Sequence, residues 1–143
     1  MKFLMLFMSF NLYSIEFEIE NPCTKKIYFE KKDIKKVGNV GEFTIDFLKR
    51  NKINFVGNEQ GLNSVFNTVI GMDALEVISD YEMRAYGWCF KVDDMIAEDY
   101  PNKIQLNENS KVNWYLGFAH YLNGEWVSQC EKISNDINFK ICN

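Results

Sequence analysis

Apolar and charged residues alternate most regularly near the start of the chain, where Ile15, Phe17 and Ile19 are separated by glutamates. Alternation at every second position predicts a strand with one buried face and one solvent-facing face. Residues 26–30 predict a second short strand, which a lysine-rich turn follows. The first part of the chain is therefore expected to contribute two half-buried strands.

The periodicity becomes helical in residues 41–51. Phe43, Phe47 and Leu48 stand at positions i, i+4 and i+5, with an acidic residue in the first turn and basic residues in the last. This segment predicts the main helix. Residues 54–66, which contain Gly57 and Gly61, predict irregular strand and turn, and residues 72–83 fit either a helix or a strand.

Two long strands are predicted in the C-terminal half. One face of the first carries Tyr86, Trp88, Phe90 and Val92, and the opposite face carries Cys89 and Lys91. In the second strand the even positions from Val112 to His120 share a face, with Trp114, Leu116 and Phe118 between them. Asn123-Gly124 predicts a tight hairpin turn, after which residues 125–130 return antiparallel. One helix on four to five mostly antiparallel strands is a two-layer α+β fold.

The extreme N-terminus predicts a signal peptide. Residues 1–14 combine a positive start at Lys2, about ten mostly apolar residues, and Ser14 before the expected cleavage site. The alternative is a buried N-terminal strand or helix. The apolar stretch is about half the length needed to cross a bilayer. We therefore expect a secreted or periplasmic protein without a membrane span, whose single mature domain covers residues 15–143.

Export changes the expectation for the four cysteines. An even count in an oxidising compartment predicts two disulfides, for which three pairings exist. Cys89 lies on the face opposite Trp88, and Cys130 lies on the returning strand. This favours a Cys89–Cys130 bond across the outer face, and Cys23 would then pair with Cys142. No C-x-x-C spacing is present, which disfavours a zinc or thioredoxin-like site.

Several short motifs resemble a known family. They are Gly87-Trp88-Cys89-Phe90-Lys91-Val92-Asp93-Asp94, then Tyr100, then Leu106-Asn107-Glu108-Asn109-Ser110-Lys111-Val112-Asn113-Trp114, with the helix around Asp46 and the segment Asn58-Glu59-Gln60-Gly61-Leu62 upstream. Over about residues 37–116 the chain resembles the domain of unknown function 4430 (DUF4430) family. That family is similar to the C-terminal β-grasp domain of transcobalamin and intrinsic factor. The resemblance implies a β-grasp-like fold in an exported protein. A corrinoid-binding module is one alternative it raises, but those carriers bind cobalamin mainly on a helical domain without counterpart here, so cobalamin is not expected.

The charge balance limits the classes of partner that the protein is expected to bind. Sixteen Lys and Arg residues against twenty Asp and Glu residues give a net charge of -4, which disfavours a nucleic-acid partner. Residues 25–36 hold six lysines against Glu30 and Asp33, a pattern that fits either an anionic cell-envelope polymer or a solvated strand edge. The acidic residues 93–99 lack the ligand spacing of an EF-hand and predict a solvated turn. No metal or cofactor is expected.

The candidate functional residues are aromatic, together with the single histidine. Tyr115, Tyr121 and Trp126 are expected on the outer face or at the hairpin end, where exposed rings are typical of binding sites, unless the C-terminal tail covers them. His120 is expected at the end of the buried face. The favoured function is a non-catalytic binding or interaction module for an unknown protein or cell-envelope ligand. The alternatives are a small exported enzyme, with His120 beside a carboxylate such as Asp93 or Asp99, and an inhibitor or envelope-associated partner protein.

Overall fold

The computed structural model describes residues 13–34 and 38–142, which form one α-helix and nine strands. The strands are β1 (Tyr13–Glu20), β2 (Ile27–Ile34), β3 (Phe55–Asn58), β4 (Gly61–Val65), β5 (Leu75–Ser79), β6 (Glu82–Val92), β7 (Met95–Ile96), β8 (Lys111–Leu122) and β9 (Glu125–Lys132). The helix α1 spans Val40–Arg50, and short 3-10 turns occupy Gly71–Ala74 and Pro101–Lys103. The predicted signal peptide lies outside the described residues except for Tyr13 and Ser14, which begin β1.

Seven of the strands form the main sheet. Five follow the order β2-β1-β8-β6-β5, while β7 pairs with part of β6 and β9 with part of β8. The β1 and β8 pair is parallel, and the other pairs are antiparallel. Strands β3 and β4 form a separate hairpin. The α+β class is confirmed, whereas the predicted count of four to five strands is too low.

The main sheet has more strands than predicted because two of them carry little sequence signal. Strand β7 has only two residues, and β5 is mostly exposed, so neither produces a clear alternation of apolar and polar residues. Residues 72–83 therefore contain the end of a 3-10 turn, then β5 and the start of β6. Strand β2 is also longer than predicted, because Lys31 and Lys32 continue the strand beside β1 instead of forming a turn.

The main core lies between α1 and one face of the sheet, the inner face. The helix begins one residue before its predicted start, and the Asn39 side chain caps it by accepting a 2.8 Å hydrogen bond from the Glu42 backbone N–H. Phe47 lies 4.2 Å from Phe17, measured between ring centroids. The apolar positions of β1, α1 and β8 thus bury each other, as their patterns predict.

The C-terminal tail closes the other end of the inner face. Beyond β9, residues 133–141 pack against a small cluster centred on Tyr86 and Phe118. The ring of Phe139 stacks on that of Tyr86 with 4.6 Å between centroids. The tail therefore extends the inner layer that α1 begins and leaves most of the opposite sheet face, the outer face, without a covering layer.

Two disulfides join the chain in the predicted pairs. Cys23 is bonded to Cys142, and Cys89 is bonded to Cys130. The first ties the β1–β2 turn to the end of the tail, and the second joins β6 to β9 across the outer face. Within the described residues no helix is long and apolar enough to cross a membrane.

Candidate functional site

Tyr115 lies on the outer face, as its strand parity predicts, but it is not exposed. Only 8% of its surface is accessible, and its hydroxyl donates a 2.8 Å hydrogen bond to the carbonyl oxygen of Cys130. Burial raises the pKa of the Tyr115 phenol. Of the two alternatives, an exposed or a covered ring, the covered one holds for Tyr115, because the Cys89–Cys130 bond draws the end of β9 over it.

Tyr121 and Trp126 lie opposite each other in the β8–β9 hairpin, with edge-to-face rings 5.4 Å apart. Trp126 is 49% exposed and Tyr121 is half-buried. Six residues of extended strand separate Tyr121 from Tyr115, a distance of roughly 20 Å. The three predicted aromatic residues therefore do not form one patch.

His120 is half-buried at the end of the inner face. Its Nε2 atom lies 3.0 Å from Oε1 of Glu82 on the neighbouring strand β6. The carboxylates expected beside it bond elsewhere, since Asp93 accepts from the Lys111 backbone N–H and Asp99 contacts Lys103. His120 lines none of the five grooves described for residues 13–34 and 38–142.

The outer face carries a row of side chains that crosses five neighbouring strands. Register pairs Phe29 with Glu18, Glu18 with Asn113, Asn113 with Lys91, and Lys91 with Ile96. The row has polar residues at its centre and partly exposed apolar residues at both ends, with Phe29 at 57% and Ile96 at 47%. At about 4.8 Å per strand the row is roughly 19 Å long.

A groove of about 360 Å³ lies along this row, and we call it the outer-face groove. Its lining includes Glu18, Glu20, Lys91, Asn113, Tyr115 and Lys132. A second groove of about 230 Å³ continues it toward Phe29 and shares Glu18 and Asn113 with it. The floor is made by paired strands, and the Cys89–Cys130 bond holds one wall.

Hydrogen bonds fix the centre of the outer-face groove. The Asn113 side-chain amide donates to Oε1 of Glu18 at 2.7 Å, which holds both groups in place. Lys91 extends over the Tyr115 ring, with its Nζ atom 5.7 Å from the ring centroid, and it has no ion-pair partner among the described residues. Acceptors and donors therefore alternate on a pre-organised surface.

Carboxylates neutralise much of the predicted lysine patch. Lys31 pairs with Glu16 at 3.3 Å, and Lys32 lies 3.9 Å from Asp46 on α1. Lys25 lies 4.0 Å from Glu20. Lys35 and Lys36 lie outside the described residues. The described lysines of the patch thus alternate with acids, a pattern typical of a solvated strand edge.

Sequence parity identified some of the groove residues but not the groove itself. It placed Lys91, Asn113 and Tyr115 on one face, and it assigned the β1 glutamates to a solvent-facing side. The contact between Glu18 and Asn113 depends on the parallel pairing of β1 with β8, which are 95 residues apart at this point. No local pattern encodes that pairing.

Within the described residues, no three His, Cys, Asp or Glu side chains are grouped so that they could hold a metal ion. A comparison of the sequence with protein-family models and with curated proteins finds no match. The resemblance to the DUF4430 family stays a prediction.

Proposed function

We propose that this protein is an exported, non-catalytic binding module whose outer-face groove binds a polar, hydroxyl-rich glycan of the cell envelope. The observation that carries the proposal is the cross-strand row with Glu18, Asn113 and Lys91 at its centre. A rigid sheet presents acceptor, amide and ammonium groups side by side in an open groove.

The alternation of donors and acceptors suits sugar hydroxyls, because each hydroxyl both donates and accepts hydrogen bonds. The exposed side chains of Phe29 and Ile96 offer apolar contacts to the C–H faces of sugar rings. Carboxylates and ammonium groups are nearly balanced along the groove, with Glu18 and Glu20 facing Lys91 and Lys132. This balance favours a neutral ligand over a strongly anionic polymer.

Export is supported by the two disulfides, which persist in oxidising compartments such as the periplasm or the extracellular space. The short basic and apolar segment of residues 1–14 agrees with this location. Determination of the N-terminal residue of the exported protein tests the predicted cleavage after Ser14. A mature chain that retains Lys2 would contradict it.

A β-grasp-like architecture is part of the proposal. It is supported by the antiparallel β1–β2 pair, the helix that follows it, and the parallel contact between β1 and β8 in the middle of the sheet. In this arrangement α1 covers the inner face, so the outer face is free for a ligand.

The protein is first screened for binding to an array of neutral cell-envelope oligosaccharides. Calorimetry then measures its affinity for the oligosaccharide that binds best. The double variant Glu18→Gln/Lys91→Ala removes two groups of the groove. Its matched control, Glu59→Gln/Lys103→Ala, makes the same chemical changes at exposed positions elsewhere. We expect the groove variant to lose at least about tenfold in affinity, as two lost hydrogen bonds imply. Equal affinities of the two variants, or no binding to any oligosaccharide, would overturn the proposal.

A second candidate function is hydrolytic, and the 3.0 Å contact between His120 and Glu82 is the observation that favours it. A carboxylate can orient an imidazole as a general base. A screen of ester, amide and glycoside substrates with wild-type and His120→Gln protein tests it, and turnover that the variant lacks would support an enzyme. The corrinoid alternative predicts a change in the absorption spectrum of cobalamin on mixing, whereas the glycan proposal predicts none.

A further inference from the structure

Strand β6 has an unpaired stretch along one edge. Strand β5 pairs with β6 as far as Ala85, and β7 pairs with it from Lys91. Between them, residues 86–89 pair only with β8 on the other side. No other described strand pairs with this stretch, so one of the two long strands of the sheet presents a free edge.

The backbone orientation of this stretch follows from the neighbouring hairpin. The Ala97 N–H donates to the Phe90 carbonyl oxygen at 3.1 Å, so the Phe90 main chain points toward the β7 side. In an antiparallel ladder alternate residues point their N–H and C=O groups to the same side. Trp88 and Tyr86 therefore direct their main-chain groups to the free edge, where an added strand would meet them.

An apolar groove of about 550 Å³ runs along this edge. Its lining includes Leu62, Ile70, Ala74, Leu75, Ala85 and Trp88. Ile70 is 46% exposed, and a Cβ atom placed on Gly87 would meet open space. The groove therefore offers apolar contacts to alternate side chains of an added strand.

The chain path places one exposed carboxylate near each end of the free edge. Asp73 lies in the 3-10 turn immediately before β5. Glu98 comes directly after Ala97, whose N–H donates to the Phe90 carbonyl oxygen. Both carboxylates are exposed, and neither has an ion-pair partner among the residues described. A strand laid between them would carry its ends close to negative charge.

We propose that the free edge of β6 takes an extended peptide segment of another protein, apolar at alternate positions in its middle and with Lys or Arg at its ends, as an added strand. The backbone of Tyr86 and Trp88 supplies the hydrogen bonds, the groove takes alternate side chains, and Asp73 and Glu98 attract the basic ends. This site is separate from the outer-face groove and does not depend on glycan binding.

A second copy of this chain fits the edge less well. Two copies related by a two-fold axis would bring the Asp73 end of one edge beside the Glu98 end of the other. Like charges directly opposite each other destabilise strand pairing. The chemistry of the site therefore favours a basic partner segment over self-association.

The test uses three synthetic peptides of alternating valine and threonine. The first has Lys at both ends, the second has Glu at both ends, and the third is the Lys peptide with N-methyl groups on its edge-facing amides. We expect the Lys peptide to bind at least about tenfold more tightly than either of the others, because they lose charge attraction or main-chain hydrogen bonds. Equal binding of the N-methylated peptide, or no binding of the Lys peptide, would overturn the proposal.

Variants of the protein make the test specific to this edge. Ile70→Lys places a cation in the groove and should weaken the binding of the Lys peptide at least about tenfold. The control Val127→Lys, on the exposed side of β9, should leave this affinity unchanged. Asp73→Lys/Glu98→Lys should reverse the preference to the Glu peptide. Unchanged preference in that double variant, or dimerisation of the chain through this edge in place of peptide binding, would contradict the proposal.

Discussion

The Cys89–Cys130 bond is predicted to contribute a large share of the stability of the domain. It closes a loop with a sequence separation of 41, and the chain-entropy relation gives about 4 kcal/mol for a loop of this length. The variant Cys89→Ala/Cys130→Ala should therefore lose about 4 kcal/mol in the free energy of unfolding. The other bond, with a separation of 119, should contribute about 5 kcal/mol.

Urea unfolding under non-reducing conditions, followed by tryptophan fluorescence, measures this loss. With a denaturant dependence of about 1.5–2 kcal/mol per molar, the midpoint should fall by about 2–3 M. The same variant should also release the end of β9 from Tyr115, so that the phenol titrates closer to its ordinary pKa. A loss below about 1 kcal/mol, with the Tyr115 titration unchanged, would refute the view that this bond holds the wall of the outer-face groove.

Three further predictions concern the core and its titration. Trp114→Phe removes the 2.9 Å hydrogen bond from the indole N–H to the buried Thr44 hydroxyl. The free energy of unfolding, measured by thermal unfolding, should fall by about 1–3 kcal/mol. Gly41→Ala should destabilise by about 1–3 kcal/mol although alanine favours helices, because its Cβ would overlap the Glu59 carbonyl oxygen; equal stability in urea would contradict that close approach. Burial, reinforced by a hydrogen bond to a glutamate, raises the pKa of the Tyr86 phenol. The protonated phenol therefore stabilises the fold below pH 10, and this stabilisation falls as the pH rises further. Tyr86→Phe should make the free energy of unfolding less dependent on pH in this range, which unfolding measurements across alkaline pH would show.

Local patterns predicted the parts of the fold that depend on neighbouring residues. The spacing of Phe43, Phe47 and Leu48 predicted the helix, and the alternation of residues along β6 and β8 predicted which face each side chain occupies. The Cys89–Cys130 pair followed from the same parity, because a residue's face decides which cysteines can meet across strands, and Cys23–Cys142 was then the remaining pair.

Contacts between distant segments could not be predicted in this way. Parity placed Tyr115 on the outer face correctly, but it does not say which segment of chain passes over that face. Cys130 adopts a positive φ of 56°, and the register of β9 shifts near His120, so the returning strand does not follow a regular hairpin. These irregularities lie beside Cys130, whose carbonyl oxygen accepts the Tyr115 hydrogen bond, so local alternation does not predict the burial of Tyr115.

The central claim is that the outer-face groove is the ligand-binding surface of this protein. Amide and side-chain NMR spectra of the labelled protein, recorded with increasing concentrations of the best-binding oligosaccharide, test it most directly. We predict that the largest chemical-shift changes fall on Glu18, Lys91 and Asn113, with little change at Trp126 or His120. Changes concentrated at Trp126 and His120, with Asn113 unmoved, would contradict the claim.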